Sequence, residues 1–396
     1  MKEKALFIEI YGTTASVSLT DNIDINENFD LKLNGFQKGK IIDQELFFES
    51  FSSPKLQRIL NFQKIDKLIF GISPNEMYSK TEKNSIFNLE STKAIQEKDL
   101  NEGNLIENSK KNTLLHSIPL GFVLDDKDLL TNPIGMHARK LESIKLNISV
   151  NSKFVDSLIN LCKLLNIACP VNIISSSLSV SNEIIDDENK DFGCFHINID
   201  DDLTQLSMVQ KNKIFDLAVI PVGKDNFIRD IEITLDIAHK DAKILVENFG
   251  TVMPELIKEN DHLLVHTSKG QEEKISNKRI GAIMRERANE LLQISKKYFD
   301  EKSKGKITTN RVFISGSGSE YEGFDSLMKY VFQYFIYRNP DEKNIKGKTL
   351  INFYFDENKK FKNFNLKNEN SNLFNSKIIQ SNNLIKSKIK KLLKIG

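Results

Sequence analysis

The feature that most restricts the fold is a pattern that occurs twice: a strand-rich block with a tight turn, followed by helices. Residues 5–20, ALFIEIYGTTASVSLT, read as two short strands about a turn at Tyr11-Gly12, and 65–72, IDKLIFGI, as another buried strand. The second block starts at Gly193 with GCFHINI, LTQLSMVQ and FDLAVIPVG. Helical patterns follow both. SKFVDSLINLCKLLN (152–166) places Phe154, Val155, Leu158, Leu161 and Cys162 at helical spacing. Helices are also expected over 226–247 and 278–298, and RVFISGSGSEYEGF (311–324) reads as a strand entering a glycine turn before the helix DSLMKYVFQYF. At 396 residues the chain exceeds one ordinary core, so about two to four domain-sized units are expected.

Between the blocks lies a polar, charge-rich stretch (83–113) that reads as helix and loop on an exposed module. Residues 115–150 alternate again, as LHSIPLGFVLD and LESIKLNISV about the turn TNPIGM. From about 356 the composition changes to DENKKFKNFNLKNENSN, too poor in apolar residues to bury itself.

Other function classes leave little trace. A net charge of +2 implies no nucleic-acid partner. Cys162, Cys169 and Cys194 have no CxxC spacing, which favours a reducing cytoplasm over a disulfide framework. His262 and His266 lack the Glu of HExxH, and no metal site is expected there. MKEKALFIEI enters a strand-like run with no signal-peptide pattern, and no stretch approaches the ~20 apolar residues that span a bilayer.

Two strand-turn-strand blocks, each followed by helices and carrying inserted modules, resemble the actin/Hsp70/hexokinase superfamily. HSIPLGFVLDD followed by NPIGMHARKLE (116–142) narrows this to a resemblance to the FtsA cell-division family. The matching residues are Pro119, Asn132, Pro133, Gly135, Met136, Arg139, Leu141 and Glu142. FGIS (70–73), VIPVGKDNFIRDI (219–231) and ISGSGSEYEGF (314–324) follow the family's order. The resemblance implies an α/β, actin-like fold of two related halves, with an SHS2-like 1C insert, a 2B insert, a flexible linker and a C-terminal amphipathic helix. The expected division is 1–79 and 151–190 for subdomain 1A, 80–150 for 1C, 191–228 and 309–355 for 2A, and 229–308 for 2B. A linker (356–381) and a membrane-targeting helix (382–396) follow. No helix that closes the second half is evident over 336–356.

In such folds glycine hairpins grip a nucleotide, and here they are altered. Where a D-I-G-G-G-T-T-D pattern is usual, this chain has Asn198, Ile199, Asp200, Asp201, Asp202, Leu203, Thr204 and Gln205. A like charge at 4 Å costs about 4 kcal/mol at an effective dielectric of about 20. Two such costs cancel the roughly 8 kcal/mol of a micromolar ligand. The family's Asp-x-Gly-Thr becomes Glu9, Ile10, Tyr11, Gly12, and its AExxK segment becomes DAKILV, with Lys243 and Val246 in place of Glu and Lys. What the resemblance leaves for a nucleotide is Gly12, Thr13, Thr14 and the loop Gly316, Ser317, Gly318. A non-hydrolysing site is expected, with ATP and Mg²⁺ binding weakened and no catalytic residue. Read as a calcium loop, Asn198-x-Asp200-x-Asp202 lacks the required glycine and the final acid, so the triplet is expected to cap a hairpin in water or beside a local lysine.

The final segment, NNLIKSKIKKLLKIG, places Leu384, Ile385, Ile389, Leu392 and Leu393 on one helical face, with Lys386, Lys388, Lys390, Lys391 and Lys394 over most of the rest. Asn382 or Asn383 can serve as N-cap. That pattern suits an interfacial helix on anionic lipid. By resemblance, the chain would lie on the cytoplasmic face of the bacterial inner membrane at the division site, polymerise, and reach other divisome proteins through 1C. Subdomain 2B would bind the C-terminal tail of the tubulin-like protein FtsZ, with Lys278, Arg279, Arg285 and Arg287 as anchors for an acidic peptide. An active ATPase or kinase of the same fold and a pilus-assembly actin homologue are the alternatives.

Overall fold

The structure is a computed structural model that describes residues 3–101, 111–127, 129–258, 262–267, 270–304, 308–342 and 347–360. Its strands are β1 (Lys4–Tyr11), β2 (Thr14–Asp21), β3 (Asp24–Lys32), β4 (Phe36–Gln37), β5 (Lys40–Ile41), β6 (Lys67–Ile72), β7 (Met77–Ala94), β8 (Asn112–Leu124) and β9 (Leu129–Leu130). Then come β10 (His137–Asn151), β11 (Val171–Ser175), β12 (Cys194–Ile199), β13 (Thr204–Gln210), β14 (Lys213–Ile220), β15 (His262–His266), β16 (Glu272–Ser276), β17 (Arg311–Ser315) and β18 (Phe335–Tyr337).

The twofold pattern of the sequence becomes two five-stranded sheets of one topology. The first runs β3-β2-β1-β6-β11 and the second β14-β13-β12-β17-β18. In each, three antiparallel strands are followed by two parallel ones. β1 and β12 lie at the sheet centres and read as near-continuous apolar runs, as strands covered on both faces must.

The halves exchange their last helices. Ser176–Ile184 follows the first sheet, yet Val180 and Ile184 pack with Cys194, Val209 and Phe313 of the second. Thr349–Lys360 follows the second sheet, yet Leu350, Ile351 and Tyr354 pack with Ala5, Phe7, Ile69 and Ile174 of the first. Asn352 Nδ2 donates to Glu183 Oε1 at 2.8 Å where the two helices meet. The expected absence of a closing helix is thus corrected: one forms, it packs on the first half, and it continues past residue 356 to Lys360. The rest of the expected linker and the 382–396 segment lie outside the described residues.

The segment expected as the 1C insert forms a four-stranded sheet, β7-β10-β8-β9. Its first strand corrects the helix-and-loop reading that began at residue 83, because β7 extends to Ala94. The family-like turn has a local physical basis. Asn132 Oδ1 accepts from Ile134 N–H (3.1 Å), Gly135 takes φ +82°, and both Gly135 N–H and Met136 C=O bond to Ile95 at 2.9 Å. Glu142 of the same motif is buried between Lys83 (2.6 Å) and Lys140 (3.2 Å). Pro119 faces Lys145 beside a register shift, where a strand tolerates a residue with no N–H.

The insert also touches the second half. Ser79 Oγ bonds the Asp216 carboxylate and Leu217 O (2.8 Å for the latter), and Lys213 Nζ donates to Leu120 O at 3.0 Å. One expectation follows from the exchanged helices. Leu350 is 1% exposed, and any side chain on Gly71 would come within 2.8 Å of it. Leu350→Ala should therefore destabilise the whole chain by about 2–5 kcal/mol in denaturant titration.

Candidate functional site

The first hairpin closes with the two-residue loop Gly12-Thr13, and Gly12 takes φ +53°, as such turns require at their first position. Thr14 Oγ1 donates to Tyr11 O at 3.1 Å. Beneath the turn, Glu9 is buried. Burial pushes its carboxyl up to about 7 from the ordinary 4.5, and the Asp200 charge adds to this, while hydroxyls of Tyr11, Ser176 and Thr349 oppose it. Burial, and then Glu9 itself, hold the Tyr11 phenol well above its usual range.

The second hairpin has a four-residue tip, Asp200–Leu203, closed by Asp200 N–H to Leu203 O at 2.9 Å. None of these residues has positive φ, so the tip forms without glycine. Each carboxylate has its own partner. Asp200 Oδ2 accepts from Asn198 Nδ2 (2.7 Å) and Gln205 Nε2 (3.1 Å), Asp201 Oδ1 from Ser317 Oγ (2.8 Å), and Asp202 Oδ2 from the Lys38 backbone N–H (3.0 Å). The expectation of a triplet in water or beside a lysine side chain is corrected. Asp202 is buried, and what it meets of Lys38 is the main chain.

The tip also occupies a helix start. Asp200 O and Asp201 O accept from Lys224 and Asp225 N–H (2.9 and 2.8 Å), the first donors of helix Lys224–Leu235. This contact dictates Gly223, where any Cβ would lie 2.5 Å from Asp200 O. Asp225 stands behind, its carboxyl raised to about 6 by burial and then by Asp202 and Asp201.

The Gly316, Ser317, Gly318 loop is closed as well. A Cβ on Gly316 would lie 2.3 Å from Ile199 O, and one on Gly318 2.4 Å from Ile199 Cγ2, so both glycines serve close packing on the second hairpin. Gly316 N–H donates to Glu342 Oε1 at 2.6 Å, and Arg338 binds Ser319 O (2.7 Å) and Asp325 (2.7 Å).

Of Gly12, Thr13 and Thr14, Gly12 lies against the second hairpin, where a Cβ on it would be 3.0 Å from Asp202 Cβ, while Thr13 O and Thr14 Oγ1 bond within the first half. Lys243 is exposed, 3.9 Å from Glu247, and Val246 belongs to the core. A nucleotide with Mg²⁺ does not fit this donor set. Its phosphates would meet the carboxylates of Asp200, Asp201 and Asp202, and the N–H groups of Lys224, Asp225 and Gly316 are already bonded within the chain. Among the described residues no group of three His, Cys, Asp or Glu is placed to hold a metal ion.

Sequence reasoning missed a buried relay under the second hairpin. His196 Nδ1 lies 2.9 Å from Ser181 Oγ, and its Nε2 lies 2.8 Å from Ser315 Oγ, which in turn meets Asn198 Oδ1 at 2.8 Å. Burial lowers His196 to about 3, so the ring is neutral. An isolated His in an apolar strand was the only signal, and its partners are up to 119 residues away.

The basic residues of the long helix Asn277–Ser303 are also differently placed from a free cationic patch. Arg287 forms a bidentate pair with Asp230 (2.5 and 2.9 Å) and also reaches Glu290. Arg285 pairs with Glu255, and Arg279 with Glu273 at 3.5 Å. Of the four, Lys278 alone has no carboxylate partner among the described residues. Reversing Arg287 would strip the partner from Asp230 and loosen helix Lys224–Leu235 from the long helix.

Comparisons with known proteins bear on this geometry. A family profile described as "Cell division protein FtsA" matches residues 197–350, and one described as "SHS2 domain inserted in FTSA" matches 80–148. Cell division protein FtsA of Bacillus subtilis is 21% identical over 281 residues, covering 69% of this chain and 63% of that protein. Its Enterococcus faecalis counterpart is 22% identical over 218 residues, covering 54% and 49%. The chain therefore spans less than two thirds of these relatives.

Among solved structures, a PilM-PilN type IV pilus biogenesis complex matches with TM-score 0.59 at 11% identity, covering 89% of this chain and 97% of the matched one. MreB5 of Spiroplasma citri bound to ADP matches with TM-score 0.52 at 12% identity, covering 90% and 98%. These two likenesses concern the fold, which is actin-like.

The buried Glu9 yields a pH expectation. Its folded-state value exceeds its unfolded one, so the protonated form favours folding below about 4.5, and that contribution is lost as pH rises through about 7. Glu9→Gln should match the wild type in stability near pH 4 and exceed it by up to about 3 kcal/mol near pH 8. Thermal melts of both proteins at the two pH values measure this, and a constant difference would contradict it.

Proposed function

Since the chain belongs to the FtsA family of actin-like cell-division proteins, as a divergent member, we propose that it is a non-hydrolysing adaptor. It ties FtsZ filaments to anionic lipid on the cytoplasmic face of the membrane. The observation that carries this is the SHS2-type sheet over β7–β10, inserted into an actin-like body whose cleft is filled by its own carboxylates. The insert favours cell division over an ATPase or kinase of the same fold. The filled cleft argues against turnover, so ATP·Mg²⁺ is not required. A pilus-assembly role would rest on fold likeness alone.

Within this reading, subdomain 2B receives the FtsZ tail. Lys278 is the first anchor to examine there, because the three arginines are engaged by the chain's own acids. Self-association multiplies weak single contacts into stable attachment, and 1C offers a surface to further divisome proteins. No helix among the described residues is long and apolar enough to cross a membrane. Attachment is assigned to Leu384, Ile385, Ile389, Leu392 and Leu393, aided by Lys386, Lys390 and Lys391. Full burial of each apolar side chain contributes roughly 1.5–3 kcal/mol, and each lysine about 1 kcal/mol near an anionic surface. Helix ordering offsets much of this.

Sedimentation with liposomes tests the assignment. Deleting 382–396, or changing Ile389 and Leu392 to Asp, should release the protein from anionic vesicles while leaving its melting curve nearly unchanged. Moderate salt should release the wild type in part. Equal pelleting of wild type and double variant, or a loss of thermal stability on deletion, would contradict the assignment.

A further inference from the structure

We infer that the second hairpin is an intramolecular clasp: Asp202 and Leu203 cross the cleft and hold the two halves closed with no ligand between them. The inference rests on that part of the proposed function in which the cleft takes no nucleotide, and is independent of lipid or filament binding.

The halves are joined by the exchanged helices and by the contact of Ser79 with Asp216. Two lobes joined in this way can still rock against each other unless a further contact ties the facing hairpins. The clasp residues supply that tie. Asp202, 3% exposed, accepts from the Lys38 N–H at 3.0 Å, across 164 residues of sequence. Leu203, 4% exposed, sits 3.2 Å from the position a Cβ on Gly39 would take.

The receiving surface is shaped for these side chains. Lys38 and Gly39 form the turn of the β4–β5 hairpin, both with positive φ (49° and 69°). Gly39 is confined from the other side too, since a Cβ there would lie 2.5 Å from Asn75 N. Gly12 presses on Asp202 from the first hairpin. Two first-half segments, the Gly12 turn and the Lys38–Gly39 turn, thus converge on two consecutive second-half side chains, one polar and one apolar. The tip itself is braced from behind by helix Lys224–Leu235 and by Ser317. A carboxylate buried in this way must keep its N–H donor, and the donor belongs to the other half.

The consequence is a body set in one closed arrangement, with no nucleotide-driven opening. Its assembly would be governed by concentration and partners.

Hydrogen–deuterium exchange on the full chain tests the clasp, read on peptides covering 34–42 and 198–206, with 67–72 and 311–315 as internal references. Asp202→Ala with Leu203→Ser should speed exchange at 34–42 and 198–206 about tenfold or more while the reference strands stay protected. Asp202→Asn keeps an acceptor oxygen and should remain close to wild type, which guards against a general folding defect. Unchanged exchange at 34–42 in the double variant would overturn the clasp, as would equal loss of protection in the reference strands. A wild-type arm with ATP and Mg²⁺ should show no change. Nucleotide-dependent protection at 198–206 there would overturn the closed-cleft reading beneath the clasp, an outcome distinct from failure of the variants.

Discussion

The exchange of terminal helices between the two sheets is the constraint on which the rest of this molecule depends. Helix Ser176–Ile184 leaves the first sheet and covers the second, and Thr349–Lys360 makes the reverse crossing. Neither half can complete its core alone, because each lacks the helix that the other supplies. The crossing fixes how the sheets face each other, and so where the hairpins after β1 and β12 meet. It is also a place of close approach. Ser176, Ser177, Ser179 and Ser181 are buried in the first of these helices, and Gly71 leaves room for Leu350. Small side chains let the elements pack densely where the halves join.

From that frame the chemistry of the cleft follows. An actin-like fold brings two turns together, and in this chain their meeting surfaces carry acceptors and apolar groups in place of free donors. Asp201 takes Ser317, Asp202 takes Lys38 N–H, Glu342 takes Gly316 N–H, and hairpin carbonyls cap helix Lys224–Leu235. Groups that elsewhere could greet an anion are spent within the protein. The family relationship and the fold are compatible with this, since function resides in the site that a fold carries.

Much of the framework was legible in the sequence. Period-two alternation gave the hairpins at 5–20 and from 193, and the NPIGM turn marked the insert. What escaped has physical causes. β7 is polar because much of it is exposed, so composition concealed a strand that Ile86 and Phe87 help seat against Ala138 and Leu141. The closing helix escaped because the face it buries, Leu350, Ile351 and Tyr354, spans little more than one turn. Arg285 and Arg287 looked free because Glu255 and Asp230 are remote in sequence, Asp230 being 57 residues from Arg287. The aspartate triplet falls in the turn between the two strands, where the pattern from 193 places it. Its partner across the cleft could not be read, because a backbone N–H such as that of Lys38 carries no side-chain signature.

On the proposed reading, this actin-like body holds its shape without a nucleotide. Isothermal titration of the purified full chain with ATP in the presence of Mg²⁺ tests it most directly. The account predicts no saturable heat at millimolar ATP, and none for ADP. Saturable binding with Kd in the micromolar range, about −8 kcal/mol, would contradict it.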